Sequence, residues 1–132
     1  MDRQGFDELM RALARAWSTG DPEAAVDCFT GDVVYIEPPD RQRYVGRAAV
    51  YELSGGAAAI GRAPSMSFTW HQLFFDPDRQ TGAGEYTFRG VRQYHGVALV
   101  QLRDDRISRW REYQYQHDAD WEEFVGDSRF TG

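Results

Sequence analysis

From residue 66 to residue 116 the chain carries a nearly unbroken β pattern, and this half most restricts the folds open to it. Four runs, at about 66–75, 83–90, 95–103 and 106–116, are rich in Phe, Trp, Tyr, Val and Leu. Asp76-Pro77-Asp78 and Asp104-Asp105 are the plainest turns between them, because aspartate bonds its own backbone and tolerates left-handed geometry. Strands joined by links this short pair antiparallel, since a parallel crossover takes a dozen residues or more.

The first half is written differently. Phe6, Leu9, Met10, Leu13, Ala16 and Trp17 recur three and four apart, with Arg11 and Arg15 opposite, and predict an amphipathic helix. Thr19-Gly20-Asp21-Pro22 stops it and starts another: Gly20 suits a left-handed cap, Asp21 an N-cap and Pro22 the first helical position. That second helix is expected over about 22–29, anchored by Val26 and Phe29. Val33-Val34-Tyr35-Ile36-Glu37 reads as a strand, ended by Pro38-Pro39 because proline cannot donate to a ladder. Asp40 to Arg43 reads as a polar loop, and a third helix follows Gly46 until Ser54-Gly55-Gly56. Asp120 and Glu123 predict a capping box for a short last helix, with Trp121 and Phe124 docking it over the fold's open end. Residues 1–132 read as one α+β domain: helices on one face of a curved antiparallel sheet, leaving a cone-shaped cavity.

Composition removes several chemistries. All fifteen basic residues are arginine, so Schiff-base catalysis and a Walker lysine are impossible. Neither Gly-x-Ser-x-Gly nor Cys-x-x-Cys occurs. A net charge of −6 argues against nucleic acid. No apolar run approaches the ~20 residues of a membrane span, Met1-Asp2-Arg3-Gln4 does not look like a signal peptide, and Cys28 is alone; a cytoplasmic location is the expectation. Acid–base work by Asp, Glu, His and Tyr remains, or plain binding.

Residues two apart on a strand share a face, so Tyr35 points with Glu37, and Trp110 with Glu112 and Gln114. If both sets face the cone, two carboxyls sit among aromatic rings. Burial there raises a carboxyl pKa, and a close pair splits into one acid and one base. The alternative is that Glu112, flanked by Arg109 and Arg111, forms a solvated ion pair. His71 lies in Phe68-Thr69-Trp70-His71-Gln72-Leu73, where alternation does not reveal its face; it is a general base or a structural histidine. His95 and His117 are expected at the surface. Glu85 is either a third cavity acid or neutralised by Arg89 and Arg92. No His or Cys spacing predicts a metal. Trp17, Trp70, Tyr86, Ala98, Val100, Trp110 and Gln114 are the expected substrate-binding wall. Ile107, Arg109, Arg111, Tyr113 and Tyr115 form the other face of the last strand, and arginine with tyrosine on a broad sheet predicts a homodimer contact.

The order of elements and their wording resemble the cone-shaped nuclear transport factor 2-like superfamily in its SnoaL-like branch. Ala16-Trp17-Ser18-Thr19-Gly20-Asp21, Phe29-Thr30-Gly31-Asp32-Val33-Val34-Tyr35 and Tyr44-Val45-Gly46-Arg47 carry the resemblance in the first half. Gly96-Val97-Ala98-Leu99-Val100-Gln101-Leu102 and Arg106-Ile107-Ser108-Arg109-Trp110-Arg111-Glu112-Tyr113 carry it in the second. The resemblance places Glu37 where ketosteroid isomerases keep a general base, but Leu13 and Ala98 stand where their oxyanion partners would be. Against limonene-type epoxide hydrolases, Tyr35 falls on the water-positioning tyrosine and Glu112 on the water-activating aspartate. Glu37 there replaces an asparagine, and Tyr86 and Phe88 replace the arginine and second aspartate. Against scytalone-type dehydratases, His71 lies near the catalytic histidine. The resemblance thus implies an enzyme without a cofactor that uses Glu37, Glu112, Tyr35 and His71 on an apolar, cyclic or polyketide-like small molecule. A non-catalytic binder of small hydrophobic ligands, or a protein-binding scaffold, is the alternative on the same fold.

Overall fold

A computed structural model describes residues 1–131. Helix α1 (Arg3–Thr19) opens the chain, with the Asp2 carboxylate accepting from the Gly5 amide and Gly20 closing it in the left-handed region. Asp21 caps the next helix, α2 (Pro22–Val26), by accepting from the Ala24 amide. Strand β1 (Phe29–Glu37), strand β2 (Gln42–Val45) and helix α3 (Arg47–Leu53) follow. Four long strands come next: β3 (Ser67–Asp76), β4 (Thr81–Arg89), β5 (Gln93–Arg103) and β6 (Arg106–Gln116). Helix α4 (Trp121–Val125) ends the fold.

The six strands form one sheet in the order β2-β1-β6-β5-β4-β3. Only β1 and β6 run parallel; every other pair is antiparallel. The parallel pair matters most, because it sets Tyr35 opposite Trp110 and so brings the two acid-bearing strands side by side.

The apolar stripe of α1 lies on the inner face of the sheet, and Phe6, Met10, Leu13 and Trp17 are buried in one cluster with Trp70, Val100 and Trp110. Each such side chain contributes about 1.5–3 kcal/mol by leaving water. Polar ties fix the docking angle: the Trp70 indole donates to the Met10 carbonyl at 2.7 Å, and the Phe68 amide donates to Ser18 Oγ at 2.8 Å. Gly84 makes room for that indole, since a Cβ there would stand 2.5 Å from the ring of Trp70.

Four expectations need correction. The second helix ends at Val26, because Phe29 already belongs to β1 and pairs with Ile107. The segment read as a polar loop contains the start of β2, which pairs Gln42 with Glu37 and Tyr44 with Tyr35. Ile107 is buried in the core, not on the outer face, because the pairing of β5 with β6 shifts between Gln101 and Leu102. The last helix covers the outer face of the sheet, away from the cone, where Trp121 stacks on His71 and Phe124 packs against His95; Asp120 makes no side-chain cap bond.

Candidate active site

Burial along β1 alternates from Val33 to Glu37, which turns Tyr35 and Glu37 inward with Val33. Trp110 and Glu112 turn inward from β6 in the same way, and Arg109 and Arg111 turn out. The parallel register then stacks Tyr35 on Trp110, with ring centroids 4.9 Å apart and planes 9° from parallel. Both rings aim their polar edge at one acceptor. Tyr35 Oη donates to Glu112 Oε1 at 2.6 Å, and Trp110 Nε1 donates to the same oxygen at 2.8 Å.

The other oxygen is much freer. Glu112 Oε2 receives the Gln42 amide at 3.3 Å, the same Gln42 nitrogen donates to Glu37 Oε1 at 3.1 Å, and the Tyr86 hydroxyl lies near enough to the Glu112 carboxyl to favour its charged form. An amide nitrogen carries two hydrogens, so one side chain can serve both acids at once. Glu37 and Glu112 are therefore joined through Gln42, with the glutamates 5% and 4% exposed.

Burial drives the Glu112 carboxyl above its ordinary value of 4.5; the bonds from Tyr35 and Trp110 pull it back, and the neighbouring Glu37 charge adds to the rise. Tyr35 is raised well above its ordinary value for the same first reason, with Glu112 adding to it, so its hydroxyl stays a donor. The hydroxyl of Tyr86 is raised too, chiefly by burial, and it donates to Gln114 Oε1 at 2.7 Å. That bond leaves the Gln114 amide hydrogens free to point elsewhere. Gly96 permits the contact, because a Cβ there would lie 2.8 Å from Tyr86 Oη.

A cavity of about 270 Å³ opens beside these groups. Tyr35, Gln42, Tyr86, Glu112 and Gln114 supply its polar wall, and Trp17, Leu53, Met66, Phe68, Phe88 and Val91 its apolar one. Of the residues expected at the site, Tyr35, Glu112, Trp17, Tyr86 and Gln114 line the cavity. Glu37 stands behind Gln42 and does not line it. Trp110, 1% exposed, reaches the site only through its bond to Glu112. Ala98 and Val100 are buried beneath the wall, and Trp70 is committed to helix α1.

His71 belongs to the opposite face. It points outward with Ser67 and Thr69, opposite Phe68 and Trp70, and the shift in pairing between Trp70 and Gln72 leaves it without a strand partner. There His71 Nε2 meets Thr87 Oγ1 at 2.6 Å, Thr87 Oγ1 meets His95 Nδ1 at 2.8 Å, and His95 Nε2 meets the Ala119 carbonyl at 2.7 Å. His95 is 1% exposed, contrary to expectation, because the residues after β6 fold back over it. Glu85 lies beside the outer pocket under α4, not in the cone.

Gln42 is the residue that sequence reading missed. Its signal was the alternation of Gln42-Arg43-Tyr44-Val45 directly after a proline-ended strand, which suits a hairpin partner as well as a loop. Phe68 and Phe88 could have been placed by their spacing of two from Trp70 and Tyr86.

The SnoaL-like domain family matches residues 10–110, and the chain belongs to that family. No curated protein matches it by sequence. A protein of unknown function with a cystatin-like fold from Methylobium petroleophilum is similar in structure, with a TM-score of 0.75 at 16% identity, covering 100% of this chain and 95% of that one. An epoxide hydrolase of the LEH-like type from M. tuberculosis gives 0.67 at 19%, covering 85% and 84%. The epoxide hydrolase/cyclase-like enzyme SalBIII, with a role in pyran ring formation in the polyether salinomycin, gives 0.70 at 18%, covering 86% and 93%. The fold is that of the nuclear transport factor 2-like proteins, whose members include isomerases, epoxide hydrolases and cyclases. Among the described residues no helix is long and apolar enough to cross a membrane, and no group of three His, Cys, Asp or Glu is placed to hold a metal.

Proposed function

We propose that this chain is an acid–base enzyme of the isomerase, cyclase, dehydratase or epoxide-hydrolase type, acting on an apolar small molecule through Glu112. One observation carries the proposal: Glu112 Oε1 is held by two fixed donors, while Oε2 has the Gln42 amide at 3.3 Å and the carboxyl lines a mostly apolar cavity. A carboxyl with one oxygen clamped and the other held more lightly presents its proton at a single, defined atom. Burial raises the Glu112 carboxyl above its ordinary value, a shift toward the protonated state that a general acid needs.

The likeness to SalBIII favours ring closure onto an epoxide among these reactions. Glu112 Oε2–H gives its proton to the epoxide oxygen as that C–O bond breaks, and the substrate's own hydroxyl oxygen bonds to the carbon. The hydroxyl proton then passes to the Glu112 carboxylate, so acid and enzyme are regenerated and the substrate is only isomerised. Glu37 acts one step back. Its charge and its claim on Gln42 influence how readily Glu112 lets the proton go, which makes it a positioning residue.

The test is turnover of a panel of hydroxy-epoxides and cyclic epoxides by the native protein and by Glu112→Gln. Loss of a general acid lowers the rate by ~10²–10⁴-fold. Equal turnover by both proteins sinks the proposal. A native protein that binds the panel and converts none of it is a ligand carrier, a reading that the apolar wall of Leu53, Met66, Phe68 and Phe88 also suits.

A further inference from the structure

A second chamber of about 210 Å³ adjoins the first and shares Trp17, Ser65 and Met66 with it. Trp17 is a fixed wall, because its indole donates to the buried Ser54 Oγ at 2.9 Å and packs edge-on against Trp110. Met66 is half-buried and unbranched, a side chain that changes rotamer at little cost. The partition between the chambers is therefore one movable thioether and one exposed serine.

The far chamber differs chemically from the near one. Ala58, Ala59, Ala63 and Pro64 are among its walls, small side chains that leave the space unfilled. No carboxylate lines it, and its one charged lining residue is Arg62. Among the described residues, no acid lies within ion-pair distance of that guanidinium. Ala58, Ala63 and Pro64 are exposed with Arg62, so in a chain of net charge −6 this is an unpartnered cation at the open mouth of an alanine-lined cleft, a place for a ligand's anion. Arg62 alone therefore marks the end of the joined chambers at which a ligand's anion would rest.

We propose that the substrate is an elongated apolar chain with a carboxylate at its far end: Arg62 takes the carboxylate, the alanine-lined chamber takes the chain, and the reactive end lies at Glu112. The far-chamber assignment stands on its own lining, whereas the identity of the reactive end rests on the acid–base reading.

Calorimetric titration of the full chain with straight-chain carboxylates from hexanoate to dodecanoate, and with the matching alcohols, tests the assignment by binding alone. Affinity should rise with chain length, and each long acid should bind roughly 2–5-fold tighter than its alcohol, as one exposed charge pair provides. Arg62→Gln should erase the acid–alcohol difference and leave alcohol binding unchanged. Ala59→Trp, which fills the chamber, should weaken dodecanoate roughly tenfold or more, in line with a lost apolar pocket. Thermal unfolding confirms that both variants are folded. No binding by the native protein, equal binding of acids and alcohols, or variants that match native affinity would each overturn the assignment. None of those results touches the glutamates, which turnover by Glu112→Gln tests separately.

Discussion

The two faces of the sheet each carry a chain of hydrogen-bonded polar side chains, and the two differ in how they end. On the inner face the chain runs from Tyr35 and Trp110 through Glu112 and Gln42 to Glu37. On the outer face it runs from His71 through Thr87 and His95 to the Ala119 carbonyl. Both contain groups able to carry a proton. The outer chain is saturated at its His95 end. His95 gives its Nε2 proton to a carbonyl and accepts from Thr87 at Nδ1, and Thr87 in turn accepts from His71, so each junction has one donor and one acceptor. Trp121 and Phe124 then cover it. The inner chain meets its cavity at the Glu112 carboxyl, whose Oε2 has the Gln42 amide at 3.3 Å. The spaces beside the two networks also differ: the inner cavity is mostly apolar, whereas the outer pocket at His71 and Thr87 is ringed by Arg89, Asp120, Glu122 and Glu123.

The largest expected effect separates the faces directly. Glu112→Gln should cost ~10²–10⁴-fold in turnover, while His71→Gln leaves turnover within about twofold. A comparable loss in His71→Gln would put catalysis on the outer face and break the contrast.

Stability should show the reverse order. His95→Leu removes the side chain that pins the segment after β6: the Ala119 carbonyl keeps only the Gln93 amide as a donor, and the Thr87 hydroxyl proton loses its acceptor. We expect a loss of about 1–3 kcal/mol by urea unfolding, with faster proteolysis within residues 117–130. An unchanged unfolding midpoint would mean that water replaces the histidine and that the outer chain is not a clasp.

The sequence made one face far more legible than the other. Alternation alone put Tyr35, Glu37, Trp110 and Glu112 inward, because β1 and β6 keep a clean period of two where those residues lie. It could not place His71, since a register shift in β3 breaks the period there. Nor could it place His95, whose burial depends on a helix returning from twenty-six residues further on. Gln42 was hidden for a third reason: a four-residue edge strand is too short to show a period, and its value comes from pairing with Glu37, which only the hairpin reveals. The layer architecture needed nothing beyond the helical stripe of α1 and the run of strands, because neither can bury its apolar face alone.

The pH dependence of folding carries a signature of each face. Burial lowers His71 to about 4 from 6.5, with His95 adding to the effect. The unfolded chain therefore binds the extra proton first, and stability falls as pH drops from about 6.5 to about 4. Arg89 on β4 and Asp120, Glu122 and Glu123 at the start of α4 are the charged residues that line the pocket around His71. Glu112, raised above 4.5, has the opposite sign: its share of stability is present at low pH and is lost as pH rises through its folded value. His71→Gln should flatten the acid limb alone, and Glu112→Gln the other alone. A variant that flattens both would show the two networks to be coupled through the sheet.

The smallest effect is the most specific to the inner geometry, and carbon-detected titration of the Glu112 carboxyl reads it without any substrate. Tyr35→Phe takes away a bond that favours the charged form, so the Glu112 pKa should rise further above 4.5. Glu37→Gln takes away a neighbouring negative charge and frees Gln42 from one of its two acceptors, so the same pKa should fall. Opposite signs from two residues on one strand follow only if Tyr35 touches Glu112 directly while Glu37 acts across Gln42. If Glu37→Gln also raised the value, the lost charge would matter less than a rearranged amide, and the positioning role given to Glu37 would have to pass to Gln42 alone. The activity profile should move with the titration: turnover that needs protonated Glu112 declines as pH rises past its pKa, and Tyr35→Phe shifts that decline to higher pH.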